Sequence, residues 1–260
     1  TADALIRDKL SSGDWGAHLG RSDSLLVNAS TWGMLLTGKW VTLDDRTRRD
    51  PLRLIRRMVV RSGEPAIRVA VRQAMKMMGQ EFVLAETIQA ALSRAETQQQ
   101  AGFQYSYDML GEAARTDADA QRYTQAYQDA IVALAQASPA SDPRHNPGIS
   151  VKLSALHARY EFAQLARVET ELYARLLGLA RAAKQAQLGF NIDAEEADRL
   201  ELSLSLFEKL AFEPELANWD GLGFVVQAYQ KRAPAVIDWL ADLALRSKRK
   251  LMLRLVKGAY

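Results

Sequence analysis

The chain has 260 residues, of which 48% are hydrophobic and 25% charged, a composition that is typical of a globular protein and excludes a disordered one. Its 34 basic and 31 acidic side chains leave a net charge of +3 and alternate along most of the length, which disfavours a nucleic-acid-binding surface. The absence of cysteine excludes disulfides and thiolate ligands, and no apolar run has the length of a membrane span.

Residues 1–101 show helical patterns separated by short polar breaks, and no clear strand. After Gly63, apolar residues from Ile67 to Met78 recur at spacings of three and four, which predicts an amphipathic helix. A second helix is expected from about Thr87 to Gln100. The densest basic cluster, Arg46 to Arg57, is interpreted as a solvated helix face. We therefore expect an all-α region here, with no nucleic-acid partner.

Residues 102–260 change to short apolar runs that alternate with long amphipathic helices. The five runs are FQYSYDML, ISVKL, GFNID, GFVVQA and LMLRLVKG. One intervening helix is expected to begin after Thr116, an N-cap with Asp119 at the third helical position, and another carries an apolar stripe from Leu165 to Leu179. Strands that are buried on both faces and joined by crossover helices are parallel, which predicts an α/β fold.

Polar residues recur where successive runs end, and they favour a barrel over a doubly wound sheet. They are Asp108 with Glu112, Lys152, Asp193, Gln227, and Arg254 with Lys257 and Tyr260. The carboxyl ends of barrel strands all open onto one face, where barrel enzymes assemble their sites. No strand is followed by the glycine-rich turn of a dinucleotide fold. We therefore predict a (β/α)8 TIM-like barrel, of which the first five β/α units are present, after the helical region.

The chemistry of this ring excludes some reactions and leaves two open. The three histidines lack ligand spacing, so no metal site is expected, and no serine or cysteine has a histidine base nearby. Lys152 could form a Schiff base if burial lowered its pKa. Alternatively, Lys152 and Arg254 bind anionic groups while Gln227 reads an amide-like edge. A flavin fits the second alternative, since its pyrimidine edge matches a glutamine amide and its reduced ring is anionic.

The same segments closely resemble the proline dehydrogenase domain of the proline utilization A family. The matching motifs are YSYDMLGEAA, ISVKLSALHARY, NIDAEEADRLE, GFVVQAYQKR and LMLRLVKGAY. The helical region also resembles this family at ALIRDKL, LLVNASTWGMLLTGK and SGEPAIR. The resemblance implies a barrel that binds FAD and oxidises L-proline to Δ1-pyrroline-5-carboxylate by hydride transfer to flavin N5. It also implies a membrane quinone as electron acceptor and an aldehyde dehydrogenase domain on the same, longer polypeptide.

The resemblance also implies roles for individual residues, with Arg254, Asp193 and Lys152 as the catalytic ones. Arg254 would lie against the flavin ring and stabilise its reduced form, Gln227 would hydrogen-bond the pyrimidine portion, and Asp193 would lie beside the flavin centre. The remaining cofactor contacts would come largely from the backbone of Val256, Lys257, Gly258 and Ala259.

On the substrate side, the resemblance implies that Lys152 helps to bind the proline carboxylate and that Tyr260 packs against the proline ring. Glu112 would pair with an arginine later in the domain. Because five parallel strands cannot close an eight-stranded barrel, we expect residues 102–260 to be the first part of an incomplete barrel within a longer polypeptide.

Two alternatives to proline oxidation remain open, a Schiff-base lysine enzyme and a non-catalytic helical interaction or regulatory module. We expect a cytoplasmic protein with peripheral contact at the inner face of the membrane. The sequence leaves the oligomeric state open, and a homo-oligomer is one outcome.

Overall fold

The computed structural model of this protein describes residue 79, residues 83–138 and residues 140–258. The chain divides into two compact units, Thr1–Leu84 and Ala85–Tyr260. The helix predicted after Gly63 and the basic cluster at residues 46–57 lie outside the described residues, as do Ala259 and Tyr260. The predicted domain boundary between residues 101 and 102 stays a prediction.

One parallel sheet organises the second unit, and its strands follow one another in chain order. The strands are β1 (Ser106–Asp108), β2 (Gly148–Val151), β3 (Gly189–Ile192), β4 (Leu222–Gln227) and β5 (Met252–Val256). A doubly wound sheet reverses its strand order at a switch point, whereas a barrel adds each new strand beside the last. The sequential order therefore confirms the predicted α/β class and the TIM-like arrangement of these strands.

Helices connect the strands and cover the outside of the sheet except at β5, where Leu253 and Leu255 are exposed. They are α1 (Ile88–Gln100), α2 (Asp117–Gln136), α3 (Leu153–Leu156), α4 (Leu165–Arg167), α5 (Tyr173–Gln185), α6 (Leu200–Phe212) and α7 (Ala233–Ser247). Shorter turns are the 3-10 helices Pro143–His145, Phe162–Gln164, Ala197–Arg199 and Pro214–Leu216 and the π-helical turn Val168–Leu172 between α4 and α5. The predicted cap of α2 is confirmed, since Thr116 and Asp119 form a reciprocal capping box.

The main core lies between the sheet and this outer layer of helices. Side chains alternate along a strand, so Ile149, Phe190 and Phe224 point outward together, and all three are buried. The ring of Phe224 packs against Phe207 of α6 at a centroid distance of 5.1 Å. In the predicted stripe that ends at Leu179, every residue is buried except the half-buried Leu165. Each fully buried side chain of this size contributes about 1.5–3 kcal/mol to stability.

The opposite, inward face of the strands is apolar at one end and polar at the other. Near the amino ends, Met252 lies over Gly189 and Gly223, where glycine leaves room for its side chain. Towards the carboxyl ends, the inward positions carry polar side chains, namely Ser106, Asp108, Ser150, Asn191, Gln227 and Arg254. A filled barrel usually packs branched apolar side chains inside. The polar end is therefore the part of the sheet that is suited to a ligand.

The start of β5 is held in place by one arginine. The guanidinium of Arg249 donates to the backbone carbonyls of Ala211, Glu213 and Leu216, at and just after the carboxyl end of α6. Burial lowers the pKa of Arg249. These bonds satisfy carbonyls at and after a helix end, which would otherwise lack partners, and they tie β5 to α6 and to the segment that follows α6. The position of Arg254 on β5 depends on this attachment.

Candidate active site

Three strand ends bring one ammonium and two carboxylates together. Lys152 follows β2, and its Nζ lies 2.8 and 2.7 Å from the two carboxylate oxygens of Asp108 at the end of β1. The same Nζ donates to Oδ2 of Asp193, which follows β3, at 2.9 Å. Glu112 is more distant, with Oε2 at 3.9 Å from Nζ. The predicted site residues Lys152, Asp193 and Glu112 therefore lie in one cluster.

The protonation state of Lys152 follows from this cluster. Burial of the ammonium works to lower its pKa, but the hydrogen bonds and charges of Asp108 and Asp193 outweigh burial and raise the pKa above its usual range. Lys152 is therefore a cation at neutral pH. A Schiff-base nucleophile needs a neutral amine, so this environment disfavours that alternative.

Arg254 reaches from β5 across the inside of the sheet to the first three strands. Its Nη1 donates to Oγ of Ser150 at 2.8 Å and to Oγ of Ser106 at 3.4 Å. Its Nη2 donates to Oδ1 of Asp193 at 2.9 Å. Asp193 thus binds Arg254 with one oxygen and Lys152 with the other, so the two cations are linked through one carboxylate.

The Nε of Arg254 is buried and has no hydrogen-bond partner within the described part of the chain. A buried donor without an acceptor costs about 1–3 kcal/mol, and such groups are uncommon in folded proteins. An acceptor atom from a ligand would remove this cost. This unused donor fits a flavin, whose ring offers nitrogen and oxygen acceptors, against the guanidinium.

A second set of hydrogen bonds links the loops after β1, β2 and β3 to the end of β4. Oγ of Ser154 accepts the N–H of Ala113 at 3.0 Å, and the N–H of Ser154 donates to Oε2 of Glu195 at 3.0 Å. The carbonyl of Glu195 accepts Nε2 of Gln227 at 2.7 Å. Burial raises the pKa of Glu195. These bonds orient Gln227 and hold the loop that carries Glu112.

The end of β5 is shaped by its contacts with the segment after β4. The carbonyls of Val256 and Lys257 accept the N–H groups of Ala228 and Tyr229 at 2.8 and 3.1 Å. Gly258 has a φ of +107°, and a Cβ at this position would collide with the ring of Tyr229. Glycine is therefore required for the backbone to pass this close to the tyrosine. The predicted cofactor contacts at 256–258 lie beside Gln227, as a shared site requires.

The structure brings several of the predicted site residues together, and it adds residues that the sequence did not predict. Asp108, one of the polar residues predicted at the strand ends, is a direct partner of Lys152. Ser106, Ser150 and Ser154 are not among the predicted residues, although Ser150 lies in the otherwise apolar strand β2, where a polar residue is a usable signal. Glu195 is not among the predicted site residues, and its half-buried carboxylate accepts the N–H of Ser154. The roles assigned to the predicted residues stay predictions.

The sequential order of the parallel strands and the charged side chains at their carboxyl ends define a protein of the parallel α/β barrel class. A family model described as proline dehydrogenase matches residues 91–260. The chain therefore belongs to the proline dehydrogenase family.

Relatives with known names agree with this assignment. Across the whole chain, the identity is 59% to the bifunctional protein PutA of Klebsiella aerogenes and 58% to that of Escherichia coli. The chain spans 20% of the length of each of these relatives. The chain is also 29% identical over 185 residues to proline dehydrogenase 1 of Bacillus subtilis. This alignment covers 71% of the chain and 53% of the Bacillus protein.

Solved structures show the same fold. A mutant of Bradyrhizobium japonicum proline utilization A superposes with a TM-score of 0.66 and 48% identity, over all of this chain and 25% of that one. Proline utilization A from Bdellovibrio bacteriovorus, inactivated by N-propargylglycine, superposes with a TM-score of 0.69 and 26% identity over 74% of this chain and 21% of that one.

A second family model, described as the DNA-binding domain of proline dehydrogenase, matches residues 1–82. We expected no nucleic-acid partner for this segment, and the match does not support that expectation. The net charge of +3 for the whole chain does not argue against nucleic-acid binding by one segment, because net charge averages over all regions of the chain.

Proposed function

We propose that the natural protein that carries this chain oxidises L-proline to Δ1-pyrroline-5-carboxylate with FAD, the first step of proline breakdown to glutamate. The observation that carries the proposal is the place of Arg254 at the mouth, in a chain of the proline dehydrogenase family. The buried Nε of Arg254 lacks an acceptor in the described part of this chain. When bound, FAD would supply the hydride acceptor at N5, from which electrons pass to a membrane quinone.

The protein's own residues would prepare the mouth for this chemistry. Arg254 places a fixed positive charge where the flavin ring would become anionic, and preorganised charge of this kind is most effective away from water. Asp193 holds both Arg254 and Lys152 in position. Gln227 would meet the pyrimidine edge, and the backbone from Val256 to Ala259 would line the cofactor.

The substrate would bind beside this cluster. L-proline is a zwitterion, and the described site offers both signs of charge, with the cation of Lys152 close to the carboxylates of Asp108 and Glu112. Lys152 stays charged because its pKa is raised, so it can receive the proline carboxylate. Tyr260, outside the described residues, would pack on the proline ring.

The test is anaerobic reduction by L-proline of the natural full-length protein, followed by flavin absorbance, beside an Arg254→Met variant. The wild type should contain FAD and be reduced, and R254M should be reduced at least about 100-fold more slowly, as for loss of one charge-stabilising donor. The matched control is Arg246→Met, which removes an exposed arginine paired with Asp242 and Glu208. A wild-type protein without flavin, or one that proline does not reduce, would sink the proposal.

Borohydride treatment separates this function from a Schiff-base enzyme. Reduction in the presence of a carbonyl substrate traps a lysine adduct only where an imine forms. We expect no label on Lys152 or Lys257 by peptide mass spectrometry. A stoichiometric adduct at either lysine would favour the Schiff-base enzyme instead.

The partners of the natural protein are part of the same proposal. We propose an aldehyde dehydrogenase domain on the same polypeptide, since the relatives that match the whole chain are named bifunctional and are about five times its length. A cytoplasmic location with peripheral contact at the membrane would bring the site to the quinone, and a homo-oligomer is compatible with this arrangement. Within the described residues, no helix is both long and apolar enough to cross a bilayer.

A second candidate function concerns residues 1–82. We propose that this segment binds DNA, because of the family model that matches it and the six arginines between positions 46 and 57. Fluorescence anisotropy with duplex DNA should show binding that weakens as salt rises. Replacement of Arg48, Arg49 and Arg53 by Ala should reduce this affinity, and binding that is independent of these arginines and of salt would contradict the proposal.

A further inference from the structure

We infer that Ser150 is a positioning residue for Arg254, since its hydroxyl holds the guanidinium in the orientation that faces the flavin. This inference rests on the proposed function, in which Arg254 lies against the flavin. It assigns to the middle of β2 a part in setting the reduction potential of the cofactor.

The geometry around the guanidinium supports this assignment. Nη1 of Arg254 lies 2.8 Å from Oγ of Ser150 and 3.4 Å from Oγ of Ser106. The two hydroxyl oxygens are 3.1 Å apart, so one can donate to the other while both accept from Nη1. Ser150 is 0% exposed, whereas Ser106 lies at an exposed position. The short, buried contact to Ser150 is therefore the stronger of the two.

The remaining contact of the guanidinium does not determine its orientation alone. Nη2 bonds to Oδ1 of Asp193, whose other oxygen is held by Lys152. A single bond leaves the planar guanidinium free to turn about that contact, whereas bonds at Nη1 and Nη2 together fix the plane. With both ends fixed, Nε lies buried without an acceptor among the residues that the structure describes. Ser150 thus keeps the donor directed away from competing carboxylates and available to a ligand.

Loss of the Ser150 hydroxyl should therefore change the reduction potential of the flavin and leave the fold intact. In a Ser150→Ala variant, Nη1 keeps only the long contact to Ser106, and the guanidinium can turn towards Asp193. A hydrogen bond to a charged group corresponds to roughly a tenfold effect or more on an equilibrium. We expect the reduced flavin to be stabilised about tenfold less, which lowers the two-electron potential by about 30 mV.

The experiment measures the potential of bound FAD in the natural full-length protein by equilibration with a reference dye, together with the affinity of the apoprotein for FAD. S150A should show the lowered potential and a weaker affinity for FAD. Ser106→Ala should show a smaller change in the same direction. The matched control is Ser247→Ala, whose hydroxyl bonds only to backbone carbonyls at the end of α7 and should leave both quantities unchanged.

A second substitution guards against a purely structural effect. Ser150→Thr retains the hydroxyl and should keep the potential close to wild type even if it lowers the unfolding temperature. If proline reduces the wild-type protein but S150A has the same flavin potential as Ser247→Ala, this inference is overturned and the proposed function still stands. A wild-type protein that holds no flavin would overturn the proposed function and this inference with it.

Discussion

Replacement of Lys152 by Met would remove the central cation of the candidate site while preserving most of its apolar stem. The contact to Asp193 is the better shielded one, because both side chains are 15% exposed, and its loss should cost about 1.5–3 kcal/mol. The contact to Asp108 adds about 0–1 kcal/mol, because Asp108 is 44% exposed. We therefore expect the free energy of unfolding to fall by about 1.5–4 kcal/mol.

This loss converts into a shift of the unfolding temperature. A change of about 1 kcal/mol shifts the midpoint by roughly 2–4 °C in a domain of this size, so the variant should unfold at least about 3 °C lower. The assay is thermal unfolding of the natural full-length protein, followed by the flavin fluorescence that appears when the cofactor is released. The matched control is Lys250→Met, which breaks an exposed pair with Asp220 and should shift the midpoint by less than about 2 °C.

The same variant tests the role of Lys152 in binding substrate. If its ammonium receives the proline carboxylate, the KM for L-proline should rise about tenfold or more. An unfolding temperature for K152M equal to that of Lys250→Met would refute the stability argument. An unchanged KM for L-proline would refute the assigned role in substrate binding.

The remaining predictions concern the surroundings of the cluster. Ser154→Ala removes the acceptor of the Ala113 N–H and so loosens the loop that carries Glu112. The variant should raise the KM for proline about fivefold with little change in kcat. An equal loss in kcat would contradict a role confined to this loop. Burial raises the pKa of Glu195 above 4.5, so its contribution to stability is present below pH 4.5 and lost as the pH rises through the folded-state pKa. In thermal unfolding, Glu195→Gln should therefore gain stability relative to wild type as the pH rises above 4.5, and a constant difference would count against this. Gly258→Ala should weaken FAD binding by the apoprotein about tenfold, because it adds a Cβ against Tyr229 at positive φ. The control is Gly178→Ala, because no atom lies near the Cβ position of Gly178. Equal affinities of the two variants for FAD would disprove the argument that the backbone at Gly258 must pass close to Tyr229.

Most elements of the second unit could be predicted from local patterns. The five apolar runs became the five strands, and the Thr116 cap became the start of α2, because strand burial and helix capping depend on residues that are close in sequence. The parallel order followed from the helices between the runs, which leave no room for hairpins. The strand-end rule then placed Lys152 and Asp193 at one mouth, whereas Arg254 lies in the middle of β5 and reaches Asp193 across the inside of the sheet.

The partners of those residues could not be predicted in the same way. Arg254 bonds to Ser106, 148 positions away in the chain, and Lys152 binds Asp108, 44 positions away. Such pairs depend on strand register and on the angle at which each side chain crosses the interior, and neither quantity is written in a local pattern. Ser106 and Ser150 belong to this group, because a hydroxyl in a strand looks the same in the sequence whether or not it holds an arginine.

The sequence by itself determined the class of fold, the end of the sheet that carries the site, and the residue types available there. Hydrophobic periodicity sets which face of an element is buried, and buried parallel strands direct their carboxyl ends to one side. Only the tertiary structure decided that Asp193 joins Lys152 to Arg254 and that Ser150 orients the guanidinium. The physical reason is that charge and hydrogen-bond energies vary over a few tenths of an ångström, a precision that packing provides and composition does not.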